Sequence, residues 1–102
     1  MSVSQACNKL YNERVKYKLI NTTGITVPAN TIKSIYILDA RDFTTWKTNN
    51  NVNTIVSIWV ENLFPEVWQT TASIYNNALI LQIQSFFGAE LSASAKIHVL
   101  YI

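Results

Sequence analysis

One histidine, His98, one cysteine, Cys7, and six carboxylates are the first side chains of this 102-residue chain to weigh for covalent or acid–base chemistry. Hydrolytic triads need a nucleophile, a base and an orienting group, and the only histidine to serve as such a base is His98. Lys96, His98 and Leu100 alternate with Ile97, Val99 and Tyr101, which places His98 on one face of a strand as a half-exposed structural imidazole. Cys7 has no histidine nearby in sequence to activate it and reads as a structural thiol. Among Glu13, Asp39, Asp42, Glu61, Glu66 and Glu90, only Asp39 and Asp42 are close, with Arg41 between them. Asp39 or Asp42 with Glu61 could flank a sugar as a glycosidase requires, but residues 39–42 read as a polar strand-to-loop turn with a local ion pair. Paired histidines, cysteine pairs and Asp-rich calcium loops are absent, and two glycines cannot build a phosphate cradle. The expectation is a non-enzymatic chain without catalytic residues, metal or cofactor; an enzyme would have to rest on Asp42, Glu61 or His98.

Aromatic and amide residues are the richer signal. Trp46, Trp59 and Trp68 accompany Tyr36, Tyr75 and the amide-rich stretch Asn49, Asn50, Asn51, Val52, Asn53. A flat ring can cover the apolar face of a pyranose while amides bond its hydroxyls, and the same residues build cores and protein interfaces. Trp59 lies in the most apolar run and reads as a core or subunit-interface residue. Trp46 and Trp68 border loops and, with Asn49, Asn50 and Asn51, are the candidates for binding a partner or a glycan, with a protein interface favoured.

The elements that must position these residues are strands. Ile, Val, Thr, Tyr, Phe and Trp recur in short alternating runs and helix signals are scarce, which predicts an all-β fold. Arg14 to Asn21 sets Val15, Tyr17 and Leu19 against Lys16 and Lys18, a strand with a solvated lysine face. Ile25 and Val27 lead through Pro28 to Asn30 into a strand over 32–39, and Phe43 to Lys47 forms a short strand followed by a loop over 48–53. Thr54 to Glu61, apolar on both faces, is the pattern of a central strand. Leu63 to Trp68 is a turn with at most one helical turn. Thr71 to Tyr75 and Ala78 to Ser85 flank Asn76-Asn77, a two-residue hairpin signal, and Ala95 to Ile102 is the last strand. The architecture expected is an antiparallel β-sandwich or jelly-roll-like domain of six to eight strands over residues 14–102, preceded by an irregular N-terminal arm over 1–13.

Composition sets the partner classes. Only 14% of residues are charged, well below the roughly 25% of an average soluble domain, while 49% are apolar and the formal charge is +2. So small a basic excess argues against nucleic acid, and no stretch approaches the length of a membrane span. A lone cysteine and an N-terminus without signal-peptide character point to folding in the cytoplasm. A surface poor in charge and an apolar final strand point to contact with another protein, with Leu10, Tyr11, Leu100, Tyr101 and Ile102 as interface candidates.

Thr26-Val27-Pro28-Ala29-Asn30-Thr31 leading into a strand, the Asn76-Asn77 hairpin and the ending from Leu91 to Ile102 resemble the small β-sandwich virion proteins of tailed bacteriophages, which form fibre tips, baseplate modules, collars and capsid decorations. The resemblance covers under a third of the chain. It implies a structural protein that folds in the host cytoplasm and assembles on a virion with copies of itself and a larger virion protein, as a head, collar or tail accessory, with residues 2–13 as a clasp. The alternative is a receptor- or glycan-binding module of the same fold that recognises a host-surface glycan.

Overall fold

The computed structural model describes residues 15–61 and 63–102; the arm over 1–13, with Cys7, Leu10 and Tyr11, lies outside the described residues. Among these, the elements in chain order are β1 (Lys16–Asn21), β2 (Ile25–Val27), β3 (Ile32–Leu38), α1 (Ala40–Asn49), β4 (Ile55–Val60), β5 (Trp68–Tyr75), β6 (Ala78–Ser85), β7 (Leu91–Ala93) and β8 (Lys96–Tyr101). They form sheets β1-β8-β4, β2-β7 and β3-β6-β5, and every strand pair is antiparallel. The all-β antiparallel fold expected from the alternating runs is the fold observed. Pairs β1:β8, β2:β7 and β3:β6 are nested, so two distant stretches of chain run side by side as one interrupted ribbon, a jelly-roll-like arrangement. Strands β4 and β5 then add to β8 and β6.

Central strands carry the core because both of their neighbours shield them. Strand β6 buries Leu79, Leu81 and Ile83, and β8 buries Ile97, Val99 and Tyr101. Ile25, Val27, Trp68 and Ala95 pack with Leu81 and Ile83, while Phe43 packs with Leu79 and the β8 residues. Each fully buried aliphatic side chain of this kind contributes roughly 1.5–3 kcal/mol of transfer free energy. Turns follow local chemistry. Asn76 and Asn77 adopt φ values of 48° and 58°, the left-handed conformation that a two-residue hairpin requires and asparagine tolerates. Leu63 to Trp68 is a single turn, closed by the Val67 and Trp68 N–H groups on the Phe64 carbonyl.

Residues 43–47 are helical, not a strand, and 39–42 are not an ion-paired turn. The Asp39 carboxylate accepts from the Asp42 N–H at 2.8 Å and starts α1 as an N-cap. Thr44, Thr45 and Thr48 donate their hydroxyls to carbonyls four residues back, which absorbs the polar groups of a threonine-rich helix. Phe43 and Trp46, three apart, share the face that meets the core. The hairpin turn holds the helix from outside: Asn77 donates to the Ala40 carbonyl and the Thr44 hydroxyl, and accepts from the Lys47 ammonium at 2.6 Å.

Strands β1 and β4 also depart from expectation. Tyr17 and Leu19 lie on the outer face, 50% and 38% exposed, whereas Lys16 and Lys18 stand across from Tyr101 and Val99. Because β1 is an edge strand, those lysines sit at the rim of the core side, where their stems can lie along apolar surface and their charges reach water. Strand β4 is an edge strand rather than a central one, with its register shifted between Ile55 and Ser57. Its outer residue Trp59 is 42% exposed.

Candidate functional site

The outer face of the β1-β8-β4 sheet gathers the aromatic residues of three strands around His98. Register places Leu19 and Trp59 directly beside His98, with Tyr17 and Ser57 beside Leu100. The Trp59 ring lies parallel to the imidazole at 5.1 Å and 8°. Tyr17 reaches diagonally across from β1, its hydroxyl 2.6 Å from His98 Nδ1. Glu61, just past β4, reaches from the opposite side and brings Oε1 to 3.0 Å from Nε2. Such diagonals are within reach of long side chains in an antiparallel sheet.

The partners assign the ring's hydrogens. A carboxylate only accepts, so Nε2 carries the hydrogen, and in the neutral imidazole Nδ1 then accepts from the Tyr17 hydroxyl. The chain Tyr17–His98–Glu61 resembles a relay of hydroxyl, imidazole and carboxylate, and such a relay can orient a hydroxyl or hold a proton. Here it runs across an open sheet face. Its two ends are exposed while the imidazole beneath Trp59 is only 15% exposed. Both ring nitrogens are engaged, so the imidazole locks a tyrosine and a tryptophan into fixed orientations. A hydrogen bond of this type at a protein surface adds about 1 kcal/mol, so the effect on geometry exceeds the effect on stability.

The residues singled out from sequence are dispersed. Trp68 is a core residue, 2% exposed, with Phe64 edge-on at 4.9 Å, so it presents no surface ring. Trp46 is half-buried, stacked on Phe43 at 5.8 Å with the Tyr101 ring edge-on at 6.0 Å. Asn49 ends α1, Asn50 bonds the Trp46 carbonyl through its backbone N–H and its side-chain amide, and Asn51 takes φ 53°. These asparagines finish a helix. Trp46, Trp68 and the asparagines therefore do not form one exposed platform. Of the interface candidates, Tyr101 is buried in the core and Leu100 lies on the outer face beside Tyr17. Ile102 is half-buried, its backbone paired with Asn53 and Thr54. Leu10 and Tyr11 lie outside the described residues. Sequence reasoning missed the gathering of Tyr17, Trp59 and Glu61 at His98. The available signal was the period-two spacing of Trp59 and Glu61, which puts both on one face of the strand expected over 54–61.

Among the described residues no cluster of three metal-ligating side chains occurs, and no helix is long and apolar enough to cross a membrane. In comparison with known proteins, no family model matches the chain, and no curated protein or solved structure is significantly similar to it.

Proposed function

We propose that this chain is a non-enzymatic assembly protein that docks onto a partner protein, either further copies of itself or a larger structural protein, through the outer face of the β1-β8-β4 sheet. The single observation that carries this reading is the exposed Tyr17–His98–Trp59 cluster, whose rings are held in place before any partner arrives. Tryptophan and tyrosine dominate the energetically important centres of protein interfaces. Rings already ordered lose little conformational entropy on binding, which leaves more of the contact energy as affinity. Leu19 and Leu100 extend the apolar area, and Glu61 and Lys96 supply a polar rim, the anatomy of a specific interface. The tailed-phage virion is the setting that the sequence resemblance suggests, with the protein acting as a head, collar or tail accessory.

Light scattering across a concentration series tests the self-association form of this reading. Wild type is expected to gain mass with concentration, and Trp59→Lys, which places a charge at the centre of the face, is expected to remain monomeric. A larger partner is tested by co-purification with tagged wild type and Trp59→Lys in parallel. Monomeric wild type together with equal capture by both proteins overturns the proposal.

A further inference from the structure

The second sheet has an outer face of different chemistry. Register aligns Ile32, Gln84 and Gln69 in one row, Ser34, Gln82 and Thr71 in the next, and Tyr36, Ile80 and Ser73 in a third. Tyr75 follows two residues beyond Ser73 on the same side of β5. None of these residues carries a charge, although the chain has eight lysines and arginines and six carboxylates to distribute. Among the described residues the glutamine, serine and threonine side chains of these rows make no hydrogen bond to protein. At either margin stand Tyr36 and Tyr75, 67% and 65% exposed.

Charge and hydrogen-bond capacity together select the occupant. A nucleic acid, an anionic membrane or an acidic peptide meets no cation on this face. An apolar protein surface would strip water from the three glutamine amides without replacing their hydrogen bonds, at an expense of about 1–3 kcal/mol for each group left unsatisfied. A neutral ligand dense in hydroxyls satisfies both conditions, since hydroxyls donate and accept and amides do the same. The platform spans two inter-strand steps and three rows, about 10 by 14 Å from ordinary strand spacings, so an extended oligosaccharide can lie across it. The tyrosines at its margins can cover the apolar faces of sugar rings.

We propose that the outer face of the β3-β6-β5 sheet binds a neutral polysaccharide, with Tyr36 and Tyr75 stacking on sugar rings and Gln69, Gln82 and Gln84 bonding hydroxyls. This surface is separate from the docking face on the other sheet and stands or falls independently of it.

The test is electrophoresis of the native protein through gels containing a soluble β-glucan, a galactomannan or an arabinoxylan, with alginate as an anionic control, at low and high salt. Retardation by at least one neutral polymer, unchanged by salt, is expected. Tyr36→Ala, Tyr75→Ala and Gln82→Glu are each expected to weaken it about tenfold, the scale of losing one anchoring contact, whereas Trp59→Ala retains it. Circular dichroism of each variant separates lost binding from lost fold. The proposal is overturned by full mobility in all three neutral gels, by retardation in alginate alone, or by wild-type affinity in every folded variant of this face. Loss of retardation with Trp59→Ala alone would move the sugar site to the other sheet and likewise overturn it. A fall in light-scattering mass caused by Tyr36→Ala, without any polysaccharide binding, would make this face a protein contact instead.

Discussion

Replacing Trp59 and Trp68 by alanine, one at a time, separates the residue proposed for docking from a core residue. Trp59 is 42% exposed, so folding hides a little over half of its surface. Taking about 100 Å² of hidden apolar area at roughly 25 cal/mol per Å² gives a ceiling near 2.5 kcal/mol, which residual burial in the unfolded chain lowers. Loss of the stacked contact with His98 at 5.1 Å adds roughly 1 kcal/mol. Trp59→Ala is therefore expected to lose about 2 kcal/mol. Trp68 is 2% exposed and belongs to the cluster containing Val27, Leu81 and Ile83. Emptying that volume is expected to remove about 3–5 kcal/mol, a large share of the total stability of a small domain. At about 4–8 °C per kcal/mol, Trp59→Ala lowers the melting temperature by roughly 8–16 °C and Trp68→Ala by roughly 12–40 °C. Thermal unfolding followed by circular dichroism at two protein concentrations measures both. If the β1-β8-β4 face joins copies of the chain, wild-type Tm rises with concentration and Trp59→Ala Tm does not. A loss for Trp59→Ala as large as that for Trp68→Ala, or larger, would mean that Trp59 is a core residue and that this face does not point outward.

Further substitutions probe the scaffold. Asn77→Gly keeps a left-handed backbone accessible but deletes the three bonds to Lys47, Ala40 and Thr44; a loss of about 1–2 kcal/mol is expected in urea unfolding, against little change for Asn76→Gly. Asp39→Ala removes the α1 cap and is expected to lose about 1 kcal/mol, most of it restored in Asp39→Ser. Tyr101→Asp puts a carboxylate among Phe43, Leu79 and Val99 and is expected to abolish cooperative melting, whereas Lys16→Ala at the sheet edge shifts Tm by no more than a few degrees. Comparable small shifts for Tyr101→Asp and Lys16→Ala would contradict the burial of β8.

Strand positions were legible where apolar side chains alternate against a strongly polar register. Leu79, Leu81 and Ile83 alternate with Ile80, Gln82 and Gln84, and the structure buries the first set. The Asn76-Asn77 signal was equally direct because a two-residue turn constrains its own backbone. Helix α1 was not legible from propensity. Thr44, Thr45, Trp46 and Thr48 favour strands by residue type, and what overrides them is an aspartate cap together with the packing of Phe43 and Trp46 on the core. The short strand β7 was missed for a related reason. Three residues, Leu91 to Ala93, hold no pattern of their own and become a strand only because β2 lies alongside.

The site was obscured by an ambiguity that periodicity cannot resolve. Strand β4 carries apolar residues on both faces, as a strand buried between two layers does and as a strand with one core face and one docking face also does. Both faces benefit from leaving water, so composition treats them alike. The same ambiguity acts on β1, where Tyr17 and Leu19 look like core residues beside Lys16 and Lys18. Topology separates the cases: β1 and β4 flank β8, whose inward residues Ile97, Val99 and Tyr101 already fill the core, and this turns Tyr17, Leu19 and Trp59 outward around His98. In strands at a sheet edge, apolar residues in excess of what the core can hold therefore come to lie on an exposed face, the one proposed above for docking. Here that excess lies on two edge strands which only the fold, through the β8 strand between them, joins into one surface.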